Sequence, residues 1–115
     1  MEKVKTKVYI ASPYTKGDVA VNVKAQLDAY DILMCAGYAP YAPLLTHFNH
    51  MAHPHPAEEW YEMDNEWIPS CDIMLRLPGD STGADREVSL AIRNDMKVYH
   101  GITSLLANAP REWKK

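Results

Sequence analysis

Short β-rich apolar runs alternate along the chain with segments in which apolar residues recur every three or four positions. The runs are typical of strands and the spacing is typical of helices, which predicts an alternation of the two. The β-rich run Lys7–Ser12 ends before a proline and predicts a first strand. Asp18 is well placed as a helix N-cap, and from Val19 apolar residues recur at three or four positions until Gly37. This predicts one helix, after which Tyr38–Ala42 predicts a second short strand.

The second half of the chain continues the alternation. A helix is predicted from about Ala57, and the run Asp72–Leu77 predicts a third strand. Small and turn-forming residues at Pro78–Gly83 then open a helix that extends to about Asp95, and Lys97–Tyr99 predicts a fourth strand.

Strands that alternate with helices favour parallel pairing through right-handed crossovers. The predicted fold is therefore a doubly wound, flavodoxin- or Rossmann-like α/β domain. Its parallel sheet would have four to five strands, with helices on both faces. A length of 115 residues suits one such domain, covering residues 1–115. Ligands in these sheets bind beyond the carboxyl ends of the strands.

Composition and charge exclude several kinds of partner. The net charge is −3, and the twelve Lys and Arg residues form no basic stripe, which argues against binding to a nucleic-acid polymer. The amino-terminal apolar run Val8–Ala11 is too short for a signal peptide or a membrane helix, so no membrane partner and a cytoplasmic location are expected. Cys35 and Cys71 are expected to be buried free thiols.

The loop Pro78–Gly83 is the first candidate for ligand binding. It follows a strand and precedes a helix, so it presents unpaired backbone N–H groups and the positive helix end to an anion. Ser81 and Thr82 add hydroxyl donors, which suits a phosphate or a carboxylate. The alternative is that Ser81 or Thr82 only caps the helix.

Glu87 lies one turn into the helix that follows this loop, and its side chain is expected to point toward the strand-edge crevice. The nearby helix N-terminus is expected to keep it ionised. Such a carboxylate can attack an electrophilic sugar carbon or stabilise an oxocarbenium ion. The alternative is a first-turn glutamate that complements the helix dipole.

Asp64 is a second carboxyl group in an unusual position. It lies on the predicted apolar face of its helix rather than on the solvent face. That face consists of Trp60, Met63, Trp67 and Ile68. Partial desolvation there would raise the pKa of Asp64 and make it a candidate proton donor, so that Asp64 and Glu87 would be two carboxyl groups in different environments, as an acid and a nucleophile require. The alternative is a structural aspartate that caps or bridges to a neighbouring loop.

The segment Leu44–Pro56 is predicted to be a loop and is rich in histidine. Its histidines are His47, His50, His53 and His55. Imidazoles bind zinc, but no cysteine lies nearby and prolines interrupt the spacing, so no metal site is predicted, and no cofactor either. His47 follows the second strand and is expected to hydrogen-bond near the pocket.

Three elements carry a resemblance to a known family. They are Tyr9–Tyr14 in the first strand, the pair Asp64 and Asp72, and the segment Ser81–Glu87, which has the form Ser-x-Gly-x-x-x-Glu. Together, in this order and over nearly the whole chain, they resemble the nucleoside 2-deoxyribosyltransferase superfamily. The likeness is greatest to its short bacterial and phage members.

The resemblance implies a role for each of these residues. Glu87 would be the nucleophile toward the anomeric carbon, and Tyr9 would orient it. Asp64, eight residues before Asp72, would be the acid that handles the nucleobase. The residues that bind substrate would be Ser12, Tyr14, His47, Ser81, Thr82 and Gly83.

Ser81 separates two branches of the superfamily. Transferases acting on free deoxynucleosides resemble one another in having Asp six positions before the nucleophile, whereas branches hydrolysing nucleoside 5′-monophosphates have Ser. A serine suits a phosphate dianion, which an Asp would repel. We therefore predict hydrolysis of the N-glycosidic bond of a (deoxy)nucleoside 5′-monophosphate. The alternatives are deoxyribosyl transfer between bases and a non-catalytic nucleotide-binding regulator.

Two further features bear on this prediction. Asp85 stands where the family commonly has a second Gly, and it places a negative charge near the predicted phosphate site. In relatives the carboxyl-terminal region of a neighbouring subunit helps to close the pocket, which implies a homodimer or a larger homo-oligomer. The tail Arg111–Lys115 is predicted either to be mobile or to dock on a neighbour.

Overall fold

The structure, a computed structural model, describes residues 2–114. Its strands are β1 (Lys3–Lys5), β2 (Lys7–Ala11), β3 (Ala39–Tyr41), β4 (Ile73–Arg76), β5 (Lys97–His100) and β6 (Glu112–Lys114). Its helices are α1 (Val19–Cys35), α2 (Thr46–Ala52), α3 (Ala57–Trp67), α4 (Thr82–Arg93) and α5 (Ile102–Asn108). Short 3₁₀ turns occupy Pro43–Leu45 and Ile68–Ser70.

Four of the strands form a parallel sheet in the order β3-β2-β4-β5. The chain leaves β2 for β3 on one side and then crosses to β4 on the other side. This is the flavodoxin-like order, in which the direction of winding reverses between two neighbouring strands. The predicted fold class is confirmed, and the reversal opens a crevice at the carboxyl ends of β2 and β4.

Alternate residues of the central strand β2 face opposite layers of the domain. Val8 and Ile10 pack with Leu33 of α1 on one face, which α5 also covers. Tyr9 and Ala11 pack against α4 on the other face. These four of the five β2 residues are buried, because helices cover both sides of the sheet.

Helix α1 begins and ends where the sequence predicts. Asp18 Oδ1 accepts hydrogen bonds from the backbone N–H groups of Ala20 at 2.9 Å and Val21 at 3.2 Å. Gly37 follows the helix with a φ of +100°, a left-handed conformation that favours glycine. Cys35, in the last turn, is exposed, so the prediction that it is a buried thiol is wrong; Cys71 is half-buried.

Four short elements are absent from the sequence predictions. The helix α2 lies inside the segment predicted as a loop, and α5 follows the last predicted strand. Strands β1 and β6 pair antiparallel, with Lys3 opposite Lys114. The tail therefore pairs within its own chain, and Arg111 Nε donates to the carbonyl of Ala36 at 2.8 Å. Lys115, the last residue of that tail, lies outside the described residues.

Helix α3 is less buried than predicted. Met63 is 54% exposed and Trp67 is 49% exposed, and only Ile68, in the turn after the helix, enters the core. The prediction of a buried apolar face around Asp64 is therefore wrong.

None of the helices between residues 2 and 114 has the length and apolar character that a membrane-spanning helix needs.

Gly79 should tolerate alanine worse than Gly17 does. Both have positive φ, +118° and +89°, but a Cβ on Gly79 would lie 2.8 Å from Cγ of Pro13, whereas one on Gly17 would meet nothing within 4 Å. Gly17→Ala should lower the free energy of unfolding by about 1 kcal/mol and Gly79→Ala by about 2 to 4 kcal/mol. Urea denaturation measures both, and equal losses would contradict the close approach of the two loops.

Candidate active site

An open cleft of about 640 Å³ lies over the carboxyl ends of β2 and β4. It brings together most of the residues predicted from the sequence. Those that line it are Ser12, Tyr14, Asp64, Ser81, Thr82, Gly83 and Glu87. Tyr9 lies beneath the cleft and reaches it through Glu87, whereas His47 lies behind Tyr14.

Tyr9 and Glu87 form a buried hydrogen-bonded pair at the base of the cleft. The Tyr9 hydroxyl donates to Glu87 Oε2 at 2.5 Å, and the two residues are 0% and 7% exposed. Tyr9 comes from the central strand and Glu87 from α4, so the sheet and the helix fix the pair from both sides. Burial, with the charges of Glu87 and Asp64, raises the pKa of Tyr9, which keeps its hydroxyl protonated as a donor.

The pKa of Glu87 is higher than its position near the N-terminus of α4 suggests. Burial raises the pKa of Glu87 to about 8; the hydrogen bond from Tyr9 and the charge of Arg76 lower it, and the charge of Asp64 raises it further. The expectation that the helix N-terminus keeps this carboxyl ionised is therefore wrong for the free protein. Loss of solvation outweighs the partial charge of the helix end.

Asp64 faces the same cleft from α3. Burial raises the pKa of Asp64 to about 7, which confirms the predicted direction. Its charge also raises the pKa of both Tyr9 and Tyr41, whose rings stack with centroids 5.7 Å apart. The desolvation of Asp64 thus comes from the wall of the cleft and not from a buried helix face. Two carboxyl groups that titrate near neutral pH share this cleft.

Ser81 caps α4. Its Oγ accepts a hydrogen bond from the backbone N–H of Ala84 at 3.1 Å, which confirms the capping interpretation. The cap uses an oxygen lone pair and leaves the hydroxyl proton available to a ligand. Capping and ligand binding are therefore compatible at this residue. Thr82 and Gly83 are exposed in the first turn of the helix.

The negative charge of Asp85 is paired. Arg76 Nη2 donates to Asp85 Oδ1 at 3.0 Å and to the carbonyl of Gly79 at 2.9 Å, and Nη1 donates to the carbonyl of Leu77. Arg76, 9% exposed at the end of β4, therefore holds the loop before α4 and offsets the charge of Asp85. The sequence indicates this role only by the position of Arg76, which is an arginine at the end of an otherwise apolar strand.

Three of the four histidines of the segment 44–56 contact other side chains. Tyr14 Oη and His47 Nδ1 lie 2.7 Å apart, so His47 supports a residue that lines the cleft. Trp60 Nε1 donates to His50 Nδ1 at 2.8 Å, and the rings of His55 and Trp60 meet edge to face. Within residues 2–114, no three or more potential metal ligands are grouped together.

Arg86 joins α3 to α4 at the mouth of the cleft. Its Nη2 donates to Glu58 Oε1 at 2.9 Å, and its guanidinium carbon lies 3.8 Å from the ring centroid of Tyr61. This contact keeps the helix of Asp64 beside the helix of Glu87. Nothing in the sequence distinguishes Arg86 from a solvent-exposed arginine, so this role depends on the fold.

A family model matches most of the chain. The model of a domain of unknown function, DUF7768, matches residues 6–100, which include every element of the parallel sheet and the whole cleft. The chain belongs to the DUF7768 family. No curated protein is significantly similar to this DUF7768 domain.

Two solved structures share the fold of the DUF7768 domain. A 2-deoxyribosyltransferase from Bacillus psychrosaccharolyticus is 24% identical, with a TM-score of 0.62 over 83% of this chain and 71% of that chain. A CMP N-glycosidase from Clostridium botulinum is 18% identical, with a TM-score of 0.57 over 83% of this chain and 67% of that chain. At these identities the likeness shows a common fold.

Glu87 should make the DUF7768 domain less stable as the pH rises. Its pKa is raised from 4.5 to about 8, so between these values the folded state retains a proton that the unfolded chain has lost, and the free energy of unfolding falls. Glu87→Gln should reduce this fall, as measured by urea denaturation at about pH 5 and about pH 8. The exposed control Glu62→Gln should keep the wild-type slope. An unchanged slope in Glu87→Gln would contradict the raised pKa.

Proposed function

We propose that this DUF7768 domain is an enzyme that hydrolyses the N-glycosidic bond of a (deoxy)nucleoside 5′-monophosphate. The observation that carries the proposal is the pair of desolvated carboxyl groups, Glu87 and Asp64, with the Tyr9 hydroxyl bonded to Glu87. The solved structures of the same fold are a 2-deoxyribosyltransferase and a CMP N-glycosidase, which supports this class of chemistry.

Glu87 is the proposed nucleophile. As a carboxylate it attacks the anomeric carbon, the bond to the base breaks, and a glycosyl ester forms on the enzyme. The hydrogen bond from Tyr9 holds Oε2 and leaves Oε1 for the attack. Water then attacks the same sugar carbon, the ester bond breaks, and the free sugar phosphate leaves with Glu87 restored as a carboxylate.

Asp64 is the proposed general acid. The productive form carries one proton on Asp64 and one negative charge on Glu87, and these groups titrate as a coupled pair. The hydrogen bond from Tyr9 favours the charge on Glu87 and therefore this form. Asp64 gives its proton to the departing base, and as a carboxylate it can then accept a proton from the attacking water.

The 5′-phosphate is proposed to bind where Ser12 and the start of α4 meet the cleft. Ser81, Thr82 and Gly83 supply donors there, and Arg76 offsets the nearby charge of Asp85. Tyr14, held by His47, also lines the cleft. This arrangement supports a nucleotide in preference to a free nucleoside.

We also propose that the domain acts as a homodimer or a larger homo-oligomer. The segment around α2 and α3 exposes several large apolar side chains beside the cleft. They are Leu45, Phe48, Met51, Met63 and Trp67. Covering them with a second copy would deepen an otherwise open cleft.

Deoxyribosyl transfer between bases is the second candidate, which the shared fold with a 2-deoxyribosyltransferase favours. The two reactions differ in whether water or a second base takes the sugar. Chromatography of a nucleotide panel separates them, since hydrolysis releases free base without any acceptor base. Binding without release of base would instead indicate a nucleotide-binding regulator.

Glu87→Gln should abolish most turnover while preserving binding. The amide keeps the shape of the side chain but cannot attack the anomeric carbon, so kcat should fall by at least about a thousandfold. Base release and nucleotide affinity measured on the same preparation test this. Glu62→Gln, an exposed change on α3, should leave both unchanged. A kcat within about tenfold of wild type would rule out Glu87 as the nucleophile.

Asp64→Asn should change the dependence on leaving group and on pH. Its rate loss should be smallest for bases that depart readily without protonation, because a general acid matters most for poor leaving groups. The charge of Asp64 raises the pKa of Glu87, so its removal should shift the acidic limb of kcat/KM to lower pH. Equal losses for good and poor leaving groups would exclude Asp64 as the acid.

A further inference from the structure

Gln26 is a buried polar residue at the cleft that has no part in the mechanism above. It belongs to α1 and is 1% exposed, yet it lines the cleft. Its Nε2 donates to the carbonyl of Ile10 at 3.1 Å and to Ser12 Oγ at 2.8 Å. Its Oε1 accepts from the backbone N–H of Leu44 at 2.8 Å. One side chain thus ties the end of β2 to the turn after β3.

The two backbone contacts fix the orientation of the Gln26 amide. A backbone carbonyl can only accept and a backbone N–H can only donate. Nε2 must therefore face Ile10 and Oε1 must face Leu44, because the flipped amide would make both contacts repulsive. The second Nε2 proton is then directed at Ser12 Oγ, which must accept it.

Because Ser12 Oγ accepts this hydrogen bond, its hydroxyl group can donate only to a group other than Gln26. Within residues 2–114 the bond from Gln26 is the only hydrogen bond of the Ser12 side chain, so its proton has no acceptor in the protein. Ser12 lines the cleft, and a hydroxyl that already accepts a bond becomes a stronger donor. Ser81 has the same character, since its oxygen accepts from Ala84.

We propose that Gln26 is a positioning residue that makes Ser12 a hydrogen-bond donor to a phosphate of the ligand. A freely rotating serine can donate to a phosphate or accept from the 5′-hydroxyl of a nucleoside. With Gln26 in place Ser12 favours the phosphate, which at neutral pH mainly accepts. The inference rests on the proposed function for the nucleotide nature of the ligand.

A double-mutant cycle tests whether Gln26 acts through Ser12. Gln26→Met, which keeps the length of the side chain, Ser12→Ala and the double variant are each made in Glu87→Gln protein, so that calorimetry measures binding without turnover. Gln26→Met should weaken binding of CMP by about tenfold and binding of cytidine by about twofold or less. Ser12→Ala should do the same, and the double variant should lose no more than either single one.

Two outcomes of the cycle would overturn the inference. Additive losses would show that Gln26 acts independently of Ser12, and equal losses for CMP and cytidine would show a general structural role. Absence of CMP binding by Glu87→Gln protein would overturn it as well. Binding of CMP together with no release of base from any nucleotide by the wild type would instead overturn the proposed hydrolysis and leave the role of Gln26 standing.

A second measurement covers the case in which Gln26→Met fails to fold. The natural chain contains a single glutamine, so in Glu87→Ala protein, which also lacks the proposed nucleophile, labelling with ¹⁵N-glutamine gives one side-chain amide in the NMR spectrum. CMP should shift one of its two proton resonances, and Ser12→Ala should abolish that shift. The side-chain amide of Asn94, which donates to the carbonyl of Leu90, is the control in a parallel sample labelled with ¹⁵N-asparagine and should not move. An unmoved Gln26 amide in the presence of bound CMP would overturn the proposal.

Discussion

The hydrogen bond between Tyr9 and Glu87 joins the central strand to helix α4 at the point where the sheet reverses its winding. A carboxyl group at this depth is stable only if it is neutral or if a donor solvates its charge. Tyr9 provides that donor, and its own burial within the strand keeps the hydroxyl protonated. The pair therefore decides where negative charge can exist in the cleft, and the proposed chemistry follows from that constraint.

The remaining groups of the cleft adjust the electrostatics of this pair. Asp64 opposes ionisation of Glu87, whereas Arg76 favours it while also holding Asp85 and the loop before α4. In the same cleft, Ser12 Oγ accepts a hydrogen bond from Gln26, and Ser81 Oγ accepts one from the first turn of α4. The cleft thus combines carboxyl groups with serine hydroxyls, the two kinds of group that the proposed ligand, with a glycosidic bond and a phosphate, would need.

The sequence was most informative where local chemistry and periodicity agree. Asp18 caps α1 as predicted, and the alternation of elements determined the parallel sheet and the position of Glu87 at its carboxyl edge. Strand β6 has only three residues and α2 only seven, too few for a period to stand out. The pKa of Glu87 and the hydrogen-bond partners of Gln26 depend on contacts between residues that are far apart in the sequence. Local sequence patterns do not reveal such contacts.

Neither α2 nor α3 contains a buried residue, so the segment 46–67 is held to the domain by surface contacts such as those of Arg86 and Tyr14. Glu87, in contrast, is anchored in the buried layer of the sheet. Regions with few buried contacts open locally at a smaller free energy than the core does. By this measure α3 is held less firmly to the domain than β2 is. The proposed acid and the proposed nucleophile would then belong to different cooperative units, and the cleft would admit and release a ligand by local opening while its base stays folded.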